Sequence, residues 1–197
     1  MTKIRNLTLK KLFRVIRLAL FFMFNFHRYR RLEFKSLISR PLRIDGRRYI
    51  SLMKNAEVCP YSWLVAFKLD GIEPELSIGE GSYIGDFNHI AAVRRVVIGR
   101  HVLTANGVYI SDNTHSFEDI TLPIMHQPVL FKAEVHIGDG SWIGENVCII
   151  GARIGRNCVI GANSVVTEDI PDYSVAVGAP AKVIKRYDEM NRKWLRI

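Results

Sequence analysis

The stretch VHIGDGSWIGENVCIIGARIGRNCVIGANSVVT, residues 135–167, decides how the chain folds. An isoleucine followed by glycine recurs within it, and most of these pairs stand six residues apart. An α-helix repeats about every 3.6 residues and a strand about every two, so neither requires this spacing. A solenoid does, because each six-residue unit forms one flat side and one corner of a coil. The stretch therefore predicts a parallel β-solenoid.

The same spacing extends over most of the chain. It predicts sixteen inward side chains, of which seven precede glycine, against roughly one expected from average composition. These positions are Leu52, Val58, Leu64, Ile72, Ile78, Ile84, Ile90, Ile98, Thr104, Ile110, Ile137, Ile143, Ile149, Ile154, Ile160 and Val166. Three units would close one triangular coil. Periodicity does not give the hand of the coil, and the rule for parallel crossovers favours a right-handed one.

The charge of the chain is concentrated at its N-terminal end. The formal net charge is +9, yet residues 1–48 hold 14 Lys and Arg with two acids, and the remainder holds 14 with 17 acids. The body is thus mildly acidic. The three cysteines are too few and too irregularly spaced for a disulfide framework, and they suit a reducing cytoplasm.

Residues 9–31 predict a basic amphipathic helix. Lys10, Arg14 and Arg17 fall on one stripe, and residues 18–26 form an apolar run broken only by Asn25. The run is far shorter than the roughly 20 residues that span a bilayer, and it lacks the cleavage site of a signal peptide. The helix either lies on an anionic membrane surface or packs on the coil or on a neighbouring subunit. The apolar run argues against nucleic-acid binding.

The repeat stops between Ile110 and Ile137, and such a long excursion from a regular solenoid usually carries function. The segment contains His115, with Asp112 and Asn113 close by. Histidine is the side chain best suited to remove a proton near neutral pH. Transfer of an acyl group from a thioester to a hydroxyl requires such a base. His115 is therefore the candidate catalytic residue.

Three features resemble the hexapeptide-repeat acyltransferases: the repeated aliphatic-glycine units, SVVTEDIP at residues 164–171, and VGAPAKVIK at residues 177–185. Within that family the chain is most similar to sugar and polysaccharide O-acetyltransferases. The resemblance implies an all-β fold, a left-handed parallel β-helix, which overrides the right-handed expectation. His115 then falls on the catalytic histidine of the family's D-x-x-H loop.

The resemblance also implies which residues bind the two substrates. Asn88, Asp112 and Asn113 would bind the acceptor, with Asp112 and Asn113 alternatively orienting His115. The co-substrate would be acetyl-CoA, with no metal. Its predicted contacts are Trp142, Glu145, Ala162, Thr167, Lys182 and Lys185. Members of the family are homotrimers with each active site between two subunits.

The predicted organisation has three parts. Residues 1–44 form the basic N-terminal helical region, residues 45–180 form the β-helix with a catalytic loop at 111–134, and residues 181–197 form a short C-terminal helix. The last prediction rests on Val183, Tyr187, Met190 and Trp194, which recur at helical spacing.

The leading functional interpretation is an acetyl-CoA-dependent O-acetyltransferase acting on a sugar hydroxyl in surface polysaccharide or lipid-linked glycan synthesis. It would work in the cytoplasm, with peripheral contact to the inner face of the membrane through residues 9–31. Three alternatives stay open. They are N-acetyl transfer to an amino sugar, a non-catalytic scaffold, and a zinc hydratase whose ligands would come from His89, His101, His115 and His136.

Overall fold

The computed structural model describes residues 2–197, with side chains from Leu12 onward. It begins with the α-helix Thr2–Asn25 (α1), and short 3-10 helices lie at Arg47–Tyr49 and Ile124–His126. The predicted stripe residue Lys10 lies outside the described side chains. Within the described part of the chain, no helix combines the length and the apolar character needed to cross a bilayer.

Short strands make up most of the remaining regular structure. In the first half of the chain they are Arg31–Leu32 (β1), Leu37–Ile38 (β2), Arg43–Asp45 (β3), Ile50–Leu52 (β4), Glu57–Val58 (β5), Trp63–Ala66 (β6), Glu75–Ile78 (β7), Tyr83–Ile84 (β8), His89–Ala92 (β9), Arg95–Ile98 (β10), Leu103–Thr104 (β11) and Tyr109–Ser111 (β12). In the second half they are Asn113–His115 (β13), Val129–Phe131 (β14), Val135–Ile137 (β15), Trp142–Ile143 (β16), Cys148–Ile150 (β17), Arg153–Ile154 (β18), Val159–Ile160 (β19), Val165–Val166 (β20), Ser174–Val177 (β21), Lys182–Asp188 (β22) and Lys193–Arg196 (β23).

Three sheets wind into one coil, which confirms the predicted parallel β-helix. The first sheet contains β1, β4, β7, β10, β15 and β18; the second begins with β2, β5, β8, β11, β16, β19 and β21; the third contains β3, β6, β9, β12, β17 and β20. Successive strands within each sheet are parallel, and each pairs with the strand one coil later. Consecutive strands in the chain therefore lie on different faces of a triangular prism.

The core is a column of aliphatic side chains along the axis of this prism. Register brings together predicted inward residues of successive coils, such as Ile98 with Ile137 and Ile110 with Ile149, and these are almost completely buried. The spacing of the repeat thus reports the inward face correctly at fifteen of the sixteen positions. The prediction for Ile72 is wrong, because this residue is exposed and belongs to a short excursion from the coil at residues 67–74. Leu76 is the next residue of the hydrophobic core.

The glycines of the repeat lie where stacked corners come closest. A Cβ on Gly79 would collide with the backbone of Gly99, and one on Gly138 would collide with that of Gly155. Because the next coil passes directly over these corners, a side chain there would force the coils apart. This close approach explains the aliphatic-glycine pairs.

The β-helix begins earlier than predicted. Helix α1 ends at Asn25, and the first strand of the coil is already present at Arg31–Leu32, where a boundary at residue 45 was expected. The early coils escape the sequence pattern because they lack the glycines, but Leu32 and Ile38 are buried in the same column. Phe21 and Phe22 of α1 pack against this end and cover it.

The predicted C-terminal helix is wrong. Residues 182–188 and 193–196 are strands, and β22 pairs antiparallel with β21 at the end of the second sheet before turning back into β23. Tyr187 and Trp194 are cross-strand partners whose ring centroids are 5.5 Å apart. The edge of β21 offers backbone partners that no isolated helix would use, and pairing with it satisfies both strands.

Candidate active site

The segment that interrupts the repeat forms a β-hairpin on the side of the coil. Strands β13 and β14 pair antiparallel, so that His115 lies opposite Val129. Gln127 is buried between the two arms, and its amide donates to the carbonyls of Asp119 (2.8 Å) and Leu122 (3.0 Å). These bonds hold the tip of the loop closed and place β13 in a defined position.

Asp112 anchors the hairpin to the coil. Its carboxylate is fully buried and accepts hydrogen bonds from the backbone N–H groups of Val93, Arg94 and Arg95, at 2.7–3.1 Å. The side-chain amide of Asn113 donates to the same carboxylate (3.0 Å). The Asp112 carboxylate is therefore fully engaged in hydrogen bonds to groups of its own chain. The structure corrects the prediction that Asp112 binds the acceptor, since it fixes the base of the hairpin instead.

The hairpin and the outer face of the third sheet enclose a cleft of about 370 Å³. Its floor is built from β6, β9, β12 and β17, and its wall carries Asn113, Thr114, His115 and Val129. The His115 side chain is exposed there, and no described residue hydrogen-bonds its imidazole. Both ring nitrogens are thus free to meet a substrate.

An aromatic stack that the sequence analysis missed forms the floor of the cleft. Trp63, His89 and Tyr109 are register partners on successive coils. The Trp63 and His89 rings are parallel within 2°, with centroids 4.2 Å apart, and Tyr109 covers the other side of His89 at 5.2 Å. Burial lowers the pKa of His89 below its usual value, so its imidazole is neutral at pH 7. Trp63, His89 and Tyr109 each directly precede an inward aliphatic residue. An alignment of the repeat units in the sequence would therefore place the three at equivalent positions.

Asn88 lies inside the coil and not in the cleft. Its side chain is 1% exposed, and its amide nitrogen donates to the carbonyls of Gly85 (2.7 Å) and Ala105 (3.0 Å). Its amide oxygen accepts from the N–H of Val108 (2.9 Å). The predicted contact of Asn88 with the acceptor is therefore wrong, because the group is internal and fully bonded.

The residues predicted to bind acetyl-CoA lie away from this cleft. Trp142 is half exposed on the outer face of the second sheet, and Lys185 lies on the same sheet three strands later. That separation is about 14 Å at about 4.8 Å per strand. Lys182 is exposed and pairs with Glu168 (3.3 Å), and Thr167 is partly exposed at the end of β20.

Glu145 and Ala162 occupy stacked corners between the second and third sheets. Both are exposed, and their backbone N–H groups make no hydrogen bond to the described residues. Such exposed donors are available to an amide-containing ligand. The structure thus brings together His115 and Asn113 in one cleft. None of the six predicted acetyl-CoA contacts is among the residues that line this cleft.

Comparison with known proteins agrees with this geometry. Residues 134–168 match the model of the hexapeptide repeat of succinyl-transferase. These residues carry the hexapeptide repeat that the model describes. The fold of the chain is also that of AntD, an N-acyltransferase from Bacillus cereus solved with dTDP and 3-hydroxybutyryl-CoA, with a TM-score of 0.70 and 19% identity over 86% of this chain and 89% of that one.

Two curated relatives of this chain are named as acetyltransferases. A probable acetyltransferase of Mycobacterium tuberculosis is 46% identical over 57% of this chain and 38% of its own length. The putative lipopolysaccharide biosynthesis O-acetyl transferase WbbJ of Escherichia coli is 38% identical over 56% of this chain and 60% of its own length. The chain thus spans about two fifths and three fifths of these two relatives.

The four histidines considered for a metal site are dispersed over the structure. His89 lies on the third sheet, His136 on the first, His101 at a corner, and His115 on the hairpin. Within the described residues, no three His, Cys, Asp or Glu side chains meet.

Proposed function

We propose that this protein is an acetyl-CoA-dependent O-acetyltransferase that acylates a sugar hydroxyl. The proposal rests on the position of His115. This residue lines the cleft that forms where the β13–β14 hairpin interrupts the coil. The relatives named as acetyltransferases support the reaction class. WbbJ, named for lipopolysaccharide biosynthesis, supports a surface glycan as the acceptor.

His115 would act as the general base. Its imidazole takes the proton of the acceptor hydroxyl while the oxygen attacks the thioester carbonyl of acetyl-CoA. The new C–O bond forms, the C–S bond breaks, and the imidazolium returns its proton to the departing thiolate. Asp112 supports this step at a distance, because it holds the backbone from which β13 emerges.

The donor would bind along the second sheet. Trp142 offers an exposed ring to the pantetheine arm, the amides of Glu145 and Ala162 offer donors, and Lys182 and Lys185 offer positive charge for phosphates. Thr167 lies toward the same end. Because these groups do not face the cleft of their own chain, the hairpin of one subunit must meet the donor groove of another.

Unpartnered apolar side chains support such an assembly. The loop at residues 116–126 exposes Phe117, Ile120 and Met125, and the outer face of the second sheet exposes Tyr83 and Leu103 beside Trp142. Groups of exposed apolar side chains of this kind are typical of contact surfaces. We propose a homotrimer in which these two surfaces face each other.

Helix α1 supports a membrane-proximal acceptor, such as a lipid-linked glycan. It packs against the coil through Phe21 and Phe22, while Phe13, Ile16 and Phe24 are exposed. Arg14 and Arg17 both approach Glu57 on the coil. The exposed apolar residues would enter the inner leaflet from the cytoplasmic side.

The decisive experiment measures thiol release from acetyl-CoA with lipid-linked sugars, neutral glycans, nucleotide sugars and amino sugars. The wild-type protein should acetylate a hydroxyl, and His115→Ala should lower kcat by at least about 1,000-fold without loss of folding, as expected for loss of the general base. His126→Ala is the matched control, since His126 lies in the same loop but outside the cleft. A fully active His115→Ala protein would refute the mechanism. Exclusive use of amino sugars would favour N-acetyl transfer, and zinc-dependent hydration or complete inactivity would favour the remaining alternatives.

A further inference from the structure

The cleft beside His115 contains no group of full charge among the described residues that line it. Five of its side chains are apolar: Val65, Phe67, Ala91, Val129 and Ile150. The polar ones are neutral donors and acceptors, chiefly Tyr109, Asn113 and Thr114, with the two histidines. An anionic ligand would lose its hydration here without gaining a paired cation, which is costly. The lining fits an uncharged ring with one apolar face.

Charged groups near the floor are already engaged with each other. Arg43 binds Asp45 (2.7 Å), and Asp45 also accepts from the indole N–H of Trp63 (3.2 Å). The Arg43 guanidinium also lies over the Trp63 ring, 5.5 Å from its centroid, so these contacts hold the ring in place. These two charges near the floor are therefore paired with each other, and neither residue lines the cleft.

His89 is the residue of the cleft floor that is suited to hydrogen-bond a hydroxyl group of the acceptor. Its two faces are covered by Trp63 and Tyr109, so its exposed edge carries the ring nitrogens, and no described residue hydrogen-bonds them. Because burial keeps the imidazole neutral, one nitrogen donates and the other accepts, as a hydroxyl also does. The stack restricts rotation of the ring before the ligand arrives, which lowers the entropic cost of binding.

We infer that His89, held between Trp63 and Tyr109, contacts the acceptor and makes the site selective for an uncharged, hydroxylated sugar ring over a uronic acid, a sialic acid or a nucleotide sugar. This inference rests on the proposed function, because it names the acceptor class of the same cleft. Trp63 acts as a positioning residue, through its contact with the imidazole. The volume of the cleft suits a terminal sugar residue of a larger glycan.

The test compares methyl glycosides of a neutral hexose, a 6-deoxyhexose and a hexuronic acid with the full-length protein. Binding is measured by saturation-transfer NMR and by isothermal titration, independently of turnover, and KM and kcat are measured with acetyl-CoA. The neutral glycosides should bind at least about 10-fold more tightly than the hexuronic acid, since a buried charge without a partner is costly. His89→Phe keeps the stack but removes the nitrogens, and it should raise acceptor KM about 10-fold with KM for acetyl-CoA unchanged.

Two further variants keep the inference falsifiable. His89→Gln restores a donor and an acceptor and should recover part of the acceptor affinity. His136→Phe makes the same change on the exposed face of the first sheet, and it should alter nothing. Tighter binding of the hexuronic acid, unchanged affinity in His89→Phe, or no binding of any glycoside would overturn the inference. Binding that depends on His89 without acetyl transfer would instead refute only the proposed reaction.

Discussion

At the scale of single residues, some polar side chains of this protein are bonded inside the coil and others line the cleft. Asn88 and Asp112 are almost completely buried and bonded to backbone groups of the next or previous coil. A polar group inside a solenoid must be fully satisfied, because an unpaired one costs about 1–3 kcal/mol. His89 and His115 lack such internal partners among the described residues and share one cleft.

Asn88→Ala separates these two roles. The variant leaves the N–H of Val108 and the carbonyl of Ala105 without their partner and removes one of the two donors to the Gly85 carbonyl, which keeps the Ser62 hydroxyl. The free energy of unfolding should therefore fall by about 3 kcal/mol. Urea denaturation measures this loss. Acceptor KM of the folded variant should stay within about twofold of the wild-type value, since the residue does not reach the cleft. A 10-fold rise in KM would restore the substrate role that the sequence predicted for it.

At the scale of elements, α1 is only partly covered by the coil. It contacts the end of the β-helix through Phe21 and Phe22, whereas Phe13, Ile16 and Phe24 are exposed. A helix of this kind is stable only when something covers that surface. The loop of the hairpin also carries an uncovered apolar side chain, since Ile120 is 96% exposed. We expect another surface to cover it.

The membrane role of α1 is testable with two exposed positions. Phe13→Ser with Ile16→Ser removes apolar surface but keeps the Phe21 and Phe22 contacts. Wild-type protein should sediment with anionic vesicles, and the double variant should lose most of this binding because apolar insertion is reduced. Leu42→Ser, an equally exposed change on the coil, serves as the control. Equal sedimentation of all three proteins would exclude insertion of α1.

At the scale of the whole molecule, the proposed active site combines groups from two copies of the chain. The cleft with His115 lies against the third sheet, whereas Trp142 and Lys185 lie on the second. A β-helix does not fold one of its faces onto another, because its inner strands are paired with the coils on both sides. In the proposed assembly, the donor groove of one subunit therefore meets the base of another across the interface.

Ile120→Asp tests this assembly. The charge would be buried where the loop contacts a neighbour, so sedimentation velocity should show a shift from a trimer to smaller species, with loss of acetyl transfer but retention of the β-sheet circular dichroism spectrum. Met190→Asp is the matched control, since Met190 is 94% exposed in the C-terminal turn. A wild-type monomer that is fully active would contradict the shared site.

The sequence by itself determined the β-helix, its inward column, the interruption and its candidate base, because a six-residue repeat records the side chains that every coil must bury. The tertiary structure decided that these outward residues stack, since the excursion at residues 67–74 loops out of the coil and leaves Trp63, His89 and Tyr109 in register although their spacing in sequence is irregular. Only the tertiary structure showed that Asn88 and Asp112 are buried and bonded to backbone groups inside the chain. The tertiary structure also decided that residues 182–188 and 193–196 form strands. The free edge of β21 offers backbone hydrogen-bond partners, and the helical spacing of the sequence does not reveal them.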